Sequence, residues 1–388
     1  MSWVSPVYSK ATRRLTTETQ NPFLLHIFIA VALLHDMHLA GVPASSNSST
    51  GDAAAAAQQR ARLAFHWYHG TALFQRQLAS VTAVMSACNY DGSKAPSSSA
   101  RDALWVAAAL LGAAAYADVG SGGEIPDSTD ERPGARDSRM TRRTKTQGKP
   151  QRQRQRHLVW PLRPGSHPSD LDWLKLGHGK TAVWHVADPS RPESVFHRLG
   201  ESLARDPPPD GHLPVDWDAL PPLFARVFSP AATSSSPSSL STSPSSTSSS
   251  YSSSFTGADS SSDSRDSSGI TNPYHVPLSI LAQLFPQRAS DRNVSRFLTF
   301  VAQLPAPFRR LLERRDPRAL LLLAYWHAKV ARRPSWWVCR RSVVEGLAIC
   351  DYLAGPRCRD AAGPDVVALL EWPRRELLEV QARDTTCW

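Results

Sequence analysis

The sequence has few cysteines and none of the spacings by which cysteines bind metals. Its 388 residues contain five cysteines, and no Cys-x-x-Cys pair occurs. An odd number of cysteines without metal-ligand spacing argues against both a zinc site and a secreted domain held together by disulfides. The simplest expectation is that the cysteines are reduced, as in the interior of a cell. The five are Cys88, Cys339, Cys350, Cys358 and Cys387.

Long apolar segments are missing as well. The apolar run at residues 23–34 is far short of the roughly 20 residues that a transmembrane helix needs. It follows Arg13 and Arg14 and so looks superficially like a signal peptide, but it contains His26, which the apolar region of such a peptide rarely carries. We therefore expect a soluble intracellular chain with no membrane span.

Recognisable catalytic motifs are absent too. No Gly-x-Ser-x-Gly elbow occurs, and the apolar segments lack paired carboxylates. The segment Gly177-His-Gly-Lys-Thr181 looks like the end of a phosphate-binding loop, but Leu174 stands where the first glycine of that loop belongs, and no buried strand precedes it. We assign no catalytic residue and do not expect an enzyme.

Two histidine pairs are spaced so that each can share one face of a helix. They are His35 with His38 and His66 with His69. A metal-dependent enzyme using His35 and His38 is an open alternative, but no Glu accompanies either pair as it does in zinc proteases, and ligand spacing alone is a weak signal. We expect ordinary helix histidines and assign no metal ligand and no cofactor.

The net charge of +10 is concentrated in one segment. Residues 132–157 hold ten Lys or Arg against one acidic residue, which amounts to +9 and leaves +1 for the rest of the chain. A DNA-binding face on the folded part is therefore not expected. Three interpretations of the segment stay open: a nuclear import signal, a nucleic-acid arm or a solvated linker. The import signal would use Arg139, Arg142, Arg143, Lys145 and Lys149.

Polar and Ser-rich stretches divide the chain. Residues 44–52, 120–157 and 229–269 have too little apolar surface to offset the entropy lost on ordering. We therefore expect one discontinuous helical domain. In chain order it consists of a flexible N-terminus at 1–20, a first helical part at 21–118, a basic disordered linker at 119–157, a middle helical part at 158–228, a Ser-rich disordered insertion at 229–269 and a C-terminal helical part at 270–388.

The apolar residues recur with the period of a helix. Asn21-Pro22 and Asp316-Pro317 each place a capping residue before a proline, which is typical of a helix start. Residues 320–326 are apolar on every face and predict a helix at the centre of the fold. The helix after Asn21 should also be buried. Alternating strand patterns are nearly absent, so the predicted fold is all-α.

Tryptophans concentrate towards the C-terminus. Trp326, Trp336, Trp337 and Trp372 accompany the leucines at 320–323. Tryptophans at helical spacing are usually core residues. The alternative is that they line an apolar pocket between helices, which is the usual place for a small ligand in a helical fold.

Several blocks together resemble the fungal-specific transcription factor domain. In order along the chain they are Asn21-Pro-Phe-Leu-Leu-His-Ile-Phe-Ile-Ala-Val-Ala-Leu-Leu-His35, Ala103-Leu-Trp-Val-Ala-Ala-Ala-Leu-Leu111, Asp172-Trp-Leu-Lys-Leu-Gly-His-Gly179, Arg315-Asp-Pro-Arg-Ala-Leu-Leu-Leu-Leu-Ala-Tyr-Trp-His-Ala328, Trp336-Trp337 and Glu371-Trp-Pro373. The last three are similar to the C-terminal domain of the sterol-uptake-control regulators. The resemblance implies an all-α effector domain that dimerises and that, in sterol-responsive members, encloses a sterol and controls nuclear entry.

This resemblance defines the functional expectations. The first is a nuclear regulator of RNA polymerase II transcription that senses a sterol or lipid through Leu323, Trp326 and Trp336. The alternative is a module that binds no ligand and acts by homodimerising or by pairing with a related regulator. A core completely filled by side chains would favour the alternative.

One feature departs from the family pattern. These regulators normally carry a zinc binuclear cluster of six cysteines near the N-terminus, and the five cysteines here do not have that spacing. The sequence therefore implies no zinc unless an upstream segment supplies it. DNA would be contacted only indirectly or through such a segment.

Overall fold

The computed structural model describes residues 21–40, 50–91, 96–118, 160–162, 170–198, 201–202, 207–228, 272–290, 293–332 and 335–383. Regular structure in these ranges is helical, without strands, as an all-α fold requires. The helices are α1 Pro22–Leu39, α2 Thr50–Asp91, α3 Ser98–Ala117, α4 Asp172–Ala187, α5 Leu223–Phe228, α6 His275–Leu284, α7 Val294–Ala302, α8 Ala306–Glu313, α9 Pro317–Ala331, α10 Trp336–Ala354, α11 Pro356–Ala362, α12 Pro364–Leu369 and α13 Glu371–Arg383.

Both predicted start signals mark helix boundaries. The Asp316 carboxylate accepts a hydrogen bond from the Ala319 amide at 2.9 Å and another from the Tyr274 hydroxyl at 3.0 Å. It therefore caps α9, with Pro317 in the first turn. At the start of α1, Asn21 makes no side-chain cap, and Pro22 alone supplies the helical φ of the first turn.

The apolar side chains form two large clusters. The main core surrounds α9 and includes Trp173, Leu281, Phe300, Leu323 and Trp326. The N-terminal core lies between α1, α2, α3 and the end of α4, and its buried members include Phe23, Ile27, Leu104, Val183 and Phe196. A smaller cluster of Ala328, Ala331, Cys339, Val343 and Leu377 lies between α9, α10 and α13.

Helix α1 contributes to the N-terminal core as expected, but it is buried on one face only, although it is apolar on nearly every face. Its buried residues are Phe23, Leu24, Ile27, Ala30 and Val31. Leu25 is 55% exposed and Leu39 is 66% exposed. Of the described helices, α1 is long and apolar enough to cross a membrane by length and composition alone, criteria that a core helix or a signal sequence also meets.

One cysteine is not in the reduced state that the sequence analysis predicts. Cys339 is disulfide-bonded, which corrects that expectation. Cys350 and Cys358 are free and buried. Burial raises the pKa of the Cys350 thiol to about 12, so that thiol stays protonated and unreactive near neutral pH.

Helices α1 and α2 form an antiparallel hairpin that crosses at Gly70. The Phe23 and Phe74 rings pack at 6.2 Å near the start of α1. A Cβ added at Gly70 would lie 2.9 Å from Ile27 Cγ1 and 3.2 Å from the Ile27 backbone nitrogen. The two helix backbones are therefore in close contact there, and only glycine fits at the crossing.

We predict that Gly70→Ala destabilises the protein by about 1–3 kcal/mol because the new methyl group must push α1 away from α2. The matched control is Gly112→Ala in α3, where an added Cβ meets nothing within 4 Å. That change should stabilise the protein by up to about 1 kcal/mol, because alanine has a higher helix propensity than glycine. Urea unfolding of both variants measures the two effects. Equal stability of the two variants would contradict the close contact of α1 and α2 at Gly70.

Candidate functional site

The residues expected to form a pocket centre on α9. Every residue of this helix from Ala319 to Ala331 is buried, as its apolar composition on all faces predicts. Leu323 and Trp326 are both 0% exposed. The predicted centre of the fold is confirmed, and these two side chains share the main core.

The space around Trp326 is occupied by other side chains. Its ring stacks at an interplanar angle of 13° on Trp173 at 5.9 Å and on Phe300 at 5.6 Å. Tyr116 meets it edge-on at 6.1 Å. The indole N–H donates to the Phe297 carbonyl at 2.7 Å, so the polar atom of the ring is satisfied as well. Trp326 is thus packed as a core residue.

Trp336 lies elsewhere. It begins α10 and packs against α1, with ring centroids 5.1 Å from His35 and 5.8 Å from His38. It belongs to the N-terminal core, whereas its neighbour Trp337 packs on the main core. The structure therefore brings Leu323 and Trp326 together and places Trp336 in a different cluster.

Two surface depressions also lie away from these residues. One, of about 540 Å³, is on α13 and is lined by Glu371, Arg374, Arg375, Leu378, Glu379 and Ala382. The other, of about 530 Å³, is at α11 and α12 and is lined by Arg359, Asp360, Gly363, Pro364, Val367 and Ala368. None of the three expected ligand residues lines either depression.

A buried polar cluster adjoins the aromatic stack, and it is the main chemical feature that the sequence did not predict. It consists of Tyr116, His327, Arg341, Ser342 and Glu345. The Tyr116 hydroxyl lies 2.9 Å from the Ser342 hydroxyl and 3.5 Å from His327 Nδ1. Arg341 forms an ion pair with Glu345 one turn later. The available signal was this pair of opposite charges at i, i+4 among apolar residues of the helix.

Arg341 also caps α3. Its guanidinium donates to the carbonyls of Tyr116 at 2.7 Å, Asp118 at 2.6 Å and Ala115 at 3.2 Å. The last carbonyls of a helix have no partner within that helix, and its C-terminal end attracts cations. Arg341 thus connects the N-terminal core to α10.

His327 and Glu345 face each other without a hydrogen bond. His327 Nε2 is 3.8 Å from Glu345 Oε2, and neither atom has a hydrogen-bond partner among the residues that the structure describes. Burial raises the pKa of Glu345 to about 7, against the opposing effect of Arg341. Burial, aided by the charge of Arg341, lowers the pKa of His327 to about 3. The cluster therefore gains or loses a proton at Glu345 near neutral pH while His327 stays neutral.

A second buried ion pair fastens the start of α3. Arg191 lies 2.6 Å from Asp102 Oδ1, which also accepts from the Ser194 hydroxyl at 2.7 Å. The other carboxylate oxygen accepts from the Val195 amide at 3.0 Å. Arg191 also donates to the carbonyl of Ser98 at 2.7 Å. These bonds hold the loop after α4 against α3, and no sequence pattern indicates them.

The remaining expected sites fall outside this interior. No group of three or more His, Cys, Asp or Glu within the described ranges is arranged to hold a metal ion. The basic residues of the expected nuclear import signal lie outside the described residues, so that assignment stays a prediction. They are Arg139, Arg142, Arg143, Lys145 and Lys149.

Comparisons of the chain with protein-family models, with curated proteins and with solved structures gave no match. The resemblance to fungal transcription regulators therefore depends on the sequence blocks alone.

The Glu345–His327 pair predicts a pH dependence of stability. The ordinary pKa values of Glu and His are 4.5 and 6.5. Between these two pH values, Glu345 binds a proton on folding, which makes the free energy of unfolding fall with pH, and His327 releases a proton, which makes it rise with pH. The two effects therefore cancel. Glu345→Gln removes the first effect only. Its free energy of unfolding should then rise with pH about 1.4 kcal/mol per unit more steeply than that of the wild type.

Urea unfolding at several pH values across this window measures the difference. The complementary variant His327→Gln keeps the Glu345 effect alone, and its stability should fall as pH rises through the same range. Parallel profiles for the wild type and both variants would show that these groups keep ordinary pKa values in the fold.

Proposed function

We propose that this chain is the helical effector module of a transcription regulator and that it acts by pairing with a second copy of itself. The ordered sequence blocks support the class of protein. The α1–α2 hairpin supports the mode of action. On this proposal the protein is not an enzyme, and DNA is reached through an associated DNA-binding segment or partner regulator.

Exposed apolar side chains on the hairpin are the observation that carries the proposal. Leu25 and Phe65 are more than half exposed, and so are Leu39 and Tyr68. Single exposed apolar residues are common, but several on one pair of helices are typical of an interaction surface. Aromatic residues such as Phe65 and Tyr68 are also enriched at protein interfaces.

The packing of Trp326 favours this function over ligand sensing. A sterol bound beside α9 would have to displace Trp173 or Phe300 from its stacked position on Trp326. Emptying such a position costs about 3–5 kcal/mol, judged from large-to-small substitutions of buried aromatics. The binding energy of the ligand would first have to offset that cost.

The basic segment at residues 132–157 completes the proposal as a nuclear import signal. Its ten positive charges are concentrated in one short segment of the sequence, a pattern typical of nuclear import signals. In the nucleus the helical module would pair with a second copy and reach DNA through the associated DNA-binding segment or partner regulator.

We predict that the purified chain dimerises and that Leu25→Ser and Phe65→Ser each weaken the dimer roughly tenfold, because each removes apolar area buried between the copies. Sedimentation velocity over a concentration series measures the dissociation constant. Leu213→Ser and Leu378→Ser are matched controls, since these leucines are 49% and 46% exposed on other helices or loops.

The controls should leave the dimer unchanged. A strictly monomeric wild type, or equal weakening by the hairpin and control variants, would contradict the proposed surface. Circular dichroism of each variant shows whether the helices remain folded.

A second prediction separates pairing from ligand sensing. Calorimetric titration with sterols and fatty acids should give no saturable heat and no shift in Tm, because the interior around Trp326 is filled. Saturable binding that is lost in Trp326→Ala would instead support the sterol- or lipid-sensing function.

A further inference from the structure

The α1–α2 hairpin carries a group of three histidines. His26 on α1 faces His66 and His69 on α2, with ring centroids at 5.1 and 5.6 Å. Phe65 packs on His69 at 4.3 Å and lies 6.1 Å from His26. The sequence pairs His66 with His69 on one helix face, but it does not reveal that His26 joins them from a segment 40 residues earlier.

Two ring nitrogens in this group approach each other closely. His26 Nδ1 is 3.0 Å from His66 Nδ1. Zinc binds histidine nitrogens at about 2.0–2.1 Å, and two such ligands of one tetrahedral ion are therefore about 3.3 Å apart. The observed separation differs from that spacing by only a few tenths of an ångström.

We propose that His26 and His66 form a binding site for a divalent transition-metal ion that prefers imidazole ligands, with water in the remaining positions. This inference is independent of the proposed function. His69 lies one turn from His66 and can supply a third ligand after rotation of its side chain. In the arrangement described, it does not complete a set of three.

The backbone holds this pair in place. The glycine at the helix crossing, Gly70, lets α1 and α2 approach so closely that an added Cβ would be 3.3 Å from the His26 Cβ. Both ligands are therefore carried by helices whose separation is fixed by backbone contact. Sites on helices are more precisely positioned than sites on loops.

The surroundings of His26, His66 and His69 also suit a metal ion. All three side chains are only partly buried, so an ion and its water ligands can reach them. A set of imidazole nitrogens favours Zn²⁺, Ni²⁺, Cu²⁺ or Co²⁺ over Mg²⁺ and Ca²⁺.

The alternative is a simple N–H···N hydrogen bond between two neutral imidazoles, which has the same separation. Isothermal titration of the full chain with ZnCl₂ at pH 7.5, after removal of any purification tag, distinguishes the two. We expect one equivalent of Zn²⁺ to bind, with a rise in Tm, and at least tenfold weaker binding by His26→Ala and by His66→Ala. The matched control His212→Ala, at an exposed histidine outside the hairpin, should bind as the wild type does.

A second measurement uses the wild type alone and does not depend on the folding of the variants. Nitrogen-15 NMR of the histidine rings should show Zn²⁺-dependent shifts of Nδ1 in His26 and His66, and Mg²⁺, which prefers oxygen ligands, should cause no such shifts. Absence of binding to the wild type, or binding that survives both substitutions with no Nδ1 shift, would overturn the proposal and leave the hydrogen bond.

Discussion

The placement of Arg341 is the constraint on which the helical arrangement depends. Its guanidinium satisfies three carbonyls at the end of α3 and pairs with Glu345 on its own helix. A buried guanidinium is tolerated only when its charge and its N–H groups have partners, and α3 supplies most of them. Helix α3 belongs to the N-terminal core and α10 borders the main core, so this one side chain joins the two clusters. Loss of either partner would leave a charge buried in the interior.

The start of α3 is fixed by a similar arrangement, in which α3 provides a negative charge and another segment provides the positive one. There α3 itself contributes the charged side chain, Asp102, and the loop after α4 contributes Arg191 and Ser194. Helix α3 is thus fastened at its start by a buried ion pair and at its end by hydrogen bonds from a buried guanidinium, and these contacts join it to segments that follow it by about 90 and 225 residues. Such long-range contacts allow the intervening polar segments to vary in length, because the entropy of closing a loop grows only slowly with its length.

Local features of the chain were predicted well from the sequence. The starts of α1 and α9 depend on a proline and the residue before it, and both lie where the sequence predicts them. Helix α4 continues through Gly177 and Gly179, although glycine has a low helix propensity. Burial of Trp173, Leu174 and Val183 on the same helix compensates for the two glycines.

Contacts between distant segments could not be predicted in the same way. The stack on Trp326 is made by Trp173 and Phe300, and neither lies near it in the sequence. The separation of Trp336 from Trp326 is partly a matter of helix geometry. Consecutive residues of a helix point about 100° apart, so Trp336 and Trp337 cannot both face the same pocket.

The same geometry makes α10 a contact between the exposed hairpin and the interior, in addition to the packing of α1 and α2 on α3. Trp336 lies against His35 and His38 of α1, and Trp337, the next residue, packs on the main core. Close-packed interiors accommodate displacement through discrete rearrangements rather than continuous deformation. A shift of α1 on association with another molecule would therefore rearrange its contacts with α3 as well as those with Trp336. Because Arg341 binds the carbonyls at the end of α3, both α3 and the first turn of α10 connect the hairpin to the buried cluster around Arg341.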